Sequence, residues 1–533
     1  MMNPANLNAN SIVFAVVLLL GIAMAIAMGD AVGSGGYTFI AIFFAACVGI
    51  PLLLKLGPNS WLLLVLGINF TDRSPLLPIP LHVAEILTMA AALGFALQVI
   101  MRRIPLKVQW ARVDYLAAAC LIWLVVTFIK NPVGIAFLGS DMVGGRKYIS
   151  LIFAFIGYFI LSRNRIPANW AFKLPLIVAL AWAVPHALNA AAVVSPELSS
   201  IISRFYSVQT SDESLLTGQG DLGTESRVFG LEKMTLPLLL AMCAYYSPVT
   251  FINPLYPFRV MGFITSFVLI GLSGFRSSFI AMVGCTTVAV WLRGRLTDFI
   301  PLAVAGFVLL ISLIGAVQSG VTVPLTIQRA LSILPLGWDT DAVNDAQGTL
   351  DWRVDMWRDA LNDPNYFKDK IFGDGFGYTY QEMILFANQM QGRGGISGAA
   401  TYELFMIRGS LHNGPLSSLR YGGVVGFILL TALMVGTAIY AVKIVRASSG
   451  TVYLPIALFT AIPLIYEPFA FFIIFGAYDN NMIQYFYGLG MLNLINSSLP
   501  RPVHATSKPH SKLTPAPVAV PSPAVPISTA QLR

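Results

Sequence analysis

One histidine of this chain stands in a setting suited to acid–base chemistry. His412 lies in Ile407-Arg408-Gly409-Ser410-Leu411-His412-Asn413-Gly414-Pro415-Leu416, four residues after an arginine and among small residues that let a ligand come close. An imidazole of ordinary pKa, near 6.5, accepts a proton at neutral pH. Two further arginines occupy comparable places: Arg276 in Gly271-Leu272-Ser273-Gly274-Phe275-Arg276-Ser277-Ser278, and Arg227 in Ser226-Arg227-Val228-Phe229-Gly230. A guanidinium offers paired N–H donors that match phosphate oxygens. Taken singly, Arg227, Arg276 and Arg408 each read equally well as interfacial side chains reaching for lipid headgroups. Taken together, three arginines and a histidine at the mouths of four apolar segments form a set able to hold a diphosphate and activate a hydroxyl.

The competing chemistry comes from carboxylates. Glu85, Glu232, Glu467 and Asp479 lie within or beside apolar segments, and intramembrane acids also mark ion-coupled transport. The remaining histidines carry less: His82 opens an apolar segment, His186 follows Pro185 inside one, and His504 and His510 sit in a polar tail. Cys47, Cys120, Cys243 and Cys285 fall inside apolar runs without metal-ligand spacing and read as packing residues. No phosphate loop, His-Glu-x-x-His zinc helix or nucleophile elbow is present. The run Gly373-Asp374-Gly375-Phe376-Gly377 is a glycine-rich turn without strand-to-helix context. Neither a cofactor nor a metal is expected.

The elements that must position these residues are membrane helices. Of 533 residues, 56% are hydrophobic and 11% charged, against roughly 25% charged in a soluble domain, and the mean hydropathy is +0.73. The net charge of +8 is scattered between apolar runs rather than gathered into a patch, which argues against nucleic acid. A helix crosses a bilayer in about 20 apolar residues. Fourteen segments qualify or nearly so: 11–28, 37–56, 59–70, 81–101, 113–129, 147–162, 173–194, 229–247, 257–273, 277–292, 299–318, 414–441, 452–476 and 480–497. The third is short for a crossing. The expected fold is therefore all-α, a polytopic membrane domain over 1–497 with 12–14 transmembrane helices. Residues 498–533, rich in Pro and Ser, form a disordered cytoplasmic tail.

Basic residues in the short loops number thirteen on one parity and seven on the other. The richer set, with both termini, is placed in the cytoplasm. His412 and the three arginines then face outward, as do the polar stretch 195–226 and one long loop, 319–411. In that loop Trp352, Met356 and Leu361, with Trp357 beside them, alternate with Arg353, Asp355, Arg358 and Asp359. The pattern predicts an amphipathic helix, either roofing a cavity at the membrane surface or packed into a small subdomain with the tryptophans as core.

With these features in hand, the chain resembles the O-antigen ligase and O-antigen polymerase superfamily of bacterial inner-membrane glycan transferases. The resemblance covers about 227–426. It rests on Arg227-Val228-Phe229-Gly230, Leu272-Ser273-Gly274-Phe275-Arg276, Trp352-Arg353 to Trp357, Phe372-Gly373-Asp374-Gly375-Phe376-Gly377, His412-Asn413-Gly414-Pro415-Leu416 and Gly422-Gly423-Val424-Val425-Gly426, in that order. Leu231 departs from the small or hydroxylated residue common in the family, and Phe275 interrupts the commoner Ser-Arg pair. The resemblance implies metal-free glycosyl transfer at the periplasmic face, from an undecaprenyl-diphosphate-linked glycan donor. The acceptor would be a sugar hydroxyl on lipid A-core, on another lipid-linked repeat, or on a growing exopolysaccharide. It further implies His412 as base and Arg276, Arg227 and Arg408 as diphosphate ligands. A lipid-linked glycan flippase or an ion-coupled transporter built on Glu467 and Glu232 is the alternative.

Overall fold

The computed structural model describes residues 49, 51, 53–70, 81–104, 110–132, 145–204, 206, 230–294, 296–321, 323–324, 327–328, 331–332, 337–364, 366–376, 406, 409 and 411–500. Among them the chain is helical and contains no strand. In order the helices are α1 (Leu62–Gly67), α2 (Val83–Ile100), α3 (Arg112–Lys130), α4 (Arg146–Leu161), α5 (Leu174–Val194), α6 (Leu231–Tyr245), α7 (Pro257–Ser273), α8 (Arg276–Leu292), α9 (Phe299–Gln318), α10 (Thr340–Asn362), α11 (Gly414–Ser448), α12 (Leu454–Ile473) and α13 (Tyr478–Ser498), with short helical turns between some of them. Eleven of these, α2 to α9 and α11 to α13, coincide with expected spans. Six, namely α2, α3, α5, α9, α11 and α12, are long and apolar enough to cross a membrane, and α7 and α8 are shorter apolar helices. The protein is an all-α polytopic membrane protein. The first two expected spans fall almost wholly outside the described residues, as does the tail beyond Pro500, which belongs to a separate unit, Pro500–Arg533.

One long helix outside the six is polar and largely buried. α13 carries Asp479, Asn480, Asn481, Gln484 and Asn493, yet Tyr485, Phe486, Leu489, Leu492, Leu494 and Ile495 are all buried. It packs against α4, α11 and α12. A helix shielded from lipid on several sides can carry polar groups, provided its neighbours satisfy them. They do: Asn493 donates to Asp114 Oδ1 at 2.9 Å and to Ser162 Oγ at 3.1 Å. α9 is the opposite case, apolar all round with Phe307, Val304 and Val308 exposed, as a helix facing lipid should be.

Successive membrane helices alternate in direction, so the bundle has two ends. One, the histidine end, collects the N-termini of α2, α4, α6, α8, α11 and α13, and is tied by Arg146 to Glu85 (2.5 Å) and by Tyr478 N to Ser417 Oγ (3.1 Å). The other is tied by Ile166 N to Ser498 Oγ (2.7 Å), Tyr453 O–H to the Ile166 carbonyl (3.2 Å) and Ser247 Oγ to Asp298 (2.9 Å).

The short third segment has a structural answer. Gly57, with φ +52°, lies beside Gln98, Ser60 packs on Gly94, Gly67 on Leu87, and Ala84 N bonds the Phe70 carbonyl. Residues 57–70, a 3-10 turn (Gly57–Asn59) followed by the six-residue α1, therefore run antiparallel along α2, and α1 alone spans only about 9 Å at 1.5 Å per residue.

Candidate functional site

The site is built around a break in α11. Gly423 adopts φ +65° and ψ −171° inside the helix, a region open essentially to glycine alone. The break frees backbone groups inside the bundle, where an unsatisfied one is costly. The glycine-rich turn of the long loop fills them. Asp374 N bonds the Arg420 carbonyl (2.9 Å), Gly375 N the Tyr421 carbonyl (3.0 Å), and Val424 N the Lys370 carbonyl (2.9 Å). A Cβ on Gly423 would overlap the Ile371 carbonyl, and one on Gly373 would overlap the Gly423 amide. Trp123 of α3 donates to the Gly422 carbonyl at 2.8 Å and stacks on Phe372. The two glycine motifs, nearly fifty residues apart, thus form one interlocked backbone unit. It is fastened by the buried ion pair of Arg420 with Asp374, whose carboxylate also accepts from Lys368 N (3.1 Å) and Asp369 N (2.9 Å). Lys130 at the end of α3 pairs with Asp369 and holds that carboxyl below its ordinary range.

His412 stands just ahead of this broken helix. Asn413 caps α11 through Oδ1, which accepts from Leu416 N at 3.0 Å, the usual way of satisfying the first amides of a helix. His412 itself has φ +49°, an uncommon conformation for a residue with a Cβ. Trp357 anchors the turn by donating Nε1–H to the Leu411 carbonyl at 2.7 Å. The imidazole lies between the rings of Trp352 (centroids 6.1 Å apart) and Phe475 (5.3 Å). Burial, aided by the Arg353 charge, lowers its pKa to about 4. The ring is therefore neutral at physiological pH.

The helix that supplies Trp352, Arg353 and Trp357 is α10, and it is the core of a small packed subdomain rather than a loose surface helix. Met356 and Ala360 are fully buried with Phe367, Met406 and Leu411, and Trp352, Trp357, Leu416 and Leu419 pack around them. Each such apolar side chain contributes about 1.5–3 kcal/mol, enough together to hold the subdomain on the mouth of α11. One expected member is corrected: Leu361 is 48% exposed. The buried stripe runs through 352, 356 and 360, four residues apart, and 361 lies on the neighbouring face.

Beside Tyr421 a second polar cluster gathers at the same end. Arg146 and Glu85 form a buried pair, and Ser150 Oγ donates to the second Glu85 oxygen at 2.9 Å. Lys147 meets Asp479 at 3.0 Å, lies 3.4 Å from the Tyr421 hydroxyl, and sits over the Phe376 and Tyr421 rings. Together with His82 these groups line a cavity of about 210 Å³ whose other walls include Ile68, Phe153 and Ile483.

Arg276 is the first residue of α8, half-buried, directly after the left-handed Gly274 (φ +75°) and Phe275. It shares the histidine end with His412, on the far side of α12, which packs against both α8 and α11. Arg227 and Arg408 lie outside the described residues, as does Gly377. Gly230, the last residue of the Arg227 motif, is placed by packing: its φ is +95° and a Cβ there would overlap the His186 carbonyl. Among the carboxylates, Glu85 and Asp479 are neutralised by cations that the sequence reading used only for topology, Arg146 and Lys147. Glu467 has no ion pair among the described residues and accepts from Asn481 Nδ2 (2.6 Å) and Gln484 Nε2 (3.5 Å). No group of three or more His, Cys, Asp or Glu is placed to hold a metal among the described residues.

Sequence reasoning passed over Arg420, Arg146, Lys147 and Asp374 as site residues. The signal for Arg420 was available, since it lies inside the span expected over 414–441 and an intramembrane arginine demands a partner. Compared with known protein families and with curated proteins, the chain matches no family model and no curated protein.

Proposed function

We propose that this protein transfers a glycan from an undecaprenyl-diphosphate carrier to a sugar hydroxyl, at the periplasmic face of a bacterial inner membrane. The observation that carries the reading is the setting of His412: a neutral, buried imidazole between two aromatic rings, at the mouth of a broken membrane helix, with the Arg353 charge near it. Aromatic faces suit the apolar faces of sugars, and a neutral imidazole accepts the proton of an attacking hydroxyl. An arriving diphosphate brings negative charge that offsets Arg353 and raises the basicity of the ring. Diphosphate is itself a good leaving group, so the site needs fixed cations more than a strong acid. Arg276, Arg227 and Arg408 take that role in this reading, and direct displacement inverts the anomeric centre. Lipid A-core as acceptor makes the protein a ligase, and another lipid-linked repeat makes it a polymerase.

Glu467 favours a second reading, a lipid-linked glycan flippase or ion-coupled transporter, because a carboxylate inside α12 held by side-chain amides, with no ion pair among the described residues, is a candidate proton carrier. The two separate in one experiment. Purified protein in detergent is given an undecaprenyl-diphosphate oligosaccharide and candidate acceptors, with neither ATP nor metal. Transfer by the wild type, lost in H412A and R276A but kept in E467Q, supports the transferase. Wild-type transfer rates in folded H412A and R276A refute it.

A further inference from the structure

The opposite end of the bundle holds a cavity that the transfer chemistry does not use. It measures about 490 Å³ and is lined by Ser247, Leu292, Arg293, Val445, Arg446, Ser449, Leu454 and Leu458. Its polar lining is two guanidiniums and two serines, and among the described residues no carboxylate lines it. Asp298 accepts from Ser247 Oγ at 2.9 Å. Arg293 is held in place, since Nη2 donates to the Cys243 and Ala244 carbonyls at 2.8 and 2.9 Å at the end of α6. Arg446 closes the last turn of α11. The remaining walls are aliphatic. Next in the chain to the lining residues Ser247 and Leu292 are Tyr246 and Trp291, each about two-fifths exposed, aromatic residue types that settle at headgroup level.

We infer that this cavity binds the phosphate of an anionic phospholipid headgroup. A cation pair with hydroxyls at the polar side suits a phosphodiester, and leucines beside it suit the first methylenes of an acyl chain. A free phosphate would use the arginines and leave the aliphatic walls without a partner, so the lipid is the better match. The placement gives the lipid a structural role: α8 and α11 start at Arg276 and next to His412, Arg293 caps the end of α8, and Arg446 lies in the last turn of α11. A headgroup between the two arginines joins the far ends of the two helices that carry the candidate site.

Native mass spectrometry of the full-length protein in detergent tests this. Dioleoylphosphatidylglycerol should give a saturable one-lipid adduct, and dioleoylphosphatidylcholine none. Arg446→Gln should weaken that adduct about tenfold, the order of one partly desolvated guanidinium–phosphate contact. Arg446 is exposed, so the variant should fold. Arg293→Gln should weaken it as well, and Arg259→Gln, a cation at the same end that stacks on Tyr246 and Tyr256, should not. Failure of millimolar inorganic phosphate to displace the adduct supports the lipid. Displacement by phosphate, with Arg446 dependence intact, keeps the anion site and overturns the lipid as its source. Equal adducts from both lipids, or an unchanged adduct in Arg446→Gln, overturns the site.

Discussion

Substituting Gly423 by alanine should release the long loop from the broken helix. Alanine at φ +65°, ψ −171° costs about 1–3 kcal/mol in backbone strain. Its Cβ overlaps the Ile371 carbonyl, so the two strands of the interlock must separate locally. That separation breaks Val424 N to Lys370 O and Val425 N to Ile371 O, each worth about 0.5–1.5 kcal/mol net. The combined loss is about 2–6 kcal/mol, and every 1.4 kcal/mol is about tenfold in an opening equilibrium. Hydrogen exchange followed by mass spectrometry should therefore show amides of 369–375 and 424–425 exchanging about tens to tens of thousands of times faster, by the same arithmetic. Gly306, within α9, has no atom within 4 Å of its would-be Cβ. Gly306→Ala is the control, expected to be neutral or stabilising by up to about 1 kcal/mol. Protection of 369–375 unchanged in a folded Gly423→Ala protein would refute the account of the break.

Four further outcomes follow from the same geometry. Because the folded protein holds His412 at about 4, below the ordinary 6.5, the unfolded chain takes up the proton first; stability is full above pH 6.5 and declines towards pH 4. Melting curves of His412→Gln should lack that share of the decline, and parallel pH profiles for the two proteins would count against the burial argument. Arg420→Met leaves the buried Asp374 carboxylate without its cation and should cost about 3–5 kcal/mol. Adding Asp374→Asn should recover part of it, whereas simple additivity in the double-mutant cycle would show the pair to be uncoupled. Cys120, Cys243 and Cys285 are buried, so in a Cys47→Ala background a maleimide should label the protein only on unfolding; rapid labelling of the native protein would contradict the packing. Ile371 is exposed at the histidine end, and Ile371→Cys in a cysteine-free background should react with an impermeant maleimide added to intact spheroplasts. Labelling only after lysis would reverse the proposed orientation.

How much was legible depends on the range of the interaction involved. The spans over 81–101, 113–129 and 257–273 emerged from composition alone and recur as α2, α3 and α7 within a few residues. The 59–70 segment is short for a crossing, as its length says, but its lateral support from α2 does not show in its own apolar run. Leu361 was misassigned because a helical stripe four residues apart drifts, and only the partners Phe367, Met406 and Leu411 show which side is covered. Arg146 and Lys147 were read as topology charges. Their acids, Glu85 and Asp479, lie 61 and 332 residues away in the chain, beyond any local pattern.

The sequence by itself determined the solvent: a chain with 11% charge and more than half apolar residues has to sit in lipid as helices, because nothing else satisfies its backbone there. It also confined the chemistry to a few polar residues at the helix mouths. Tertiary structure decided which of those residues act together. It paired the carboxylates with cations, brought the Gly373 turn onto the Gly423 break, and set His412 between Trp352 and Phe475. The reason is physical: burial lowers the local dielectric and makes each polar group depend on whichever partner the fold supplies, and that choice is made between helices, not along them.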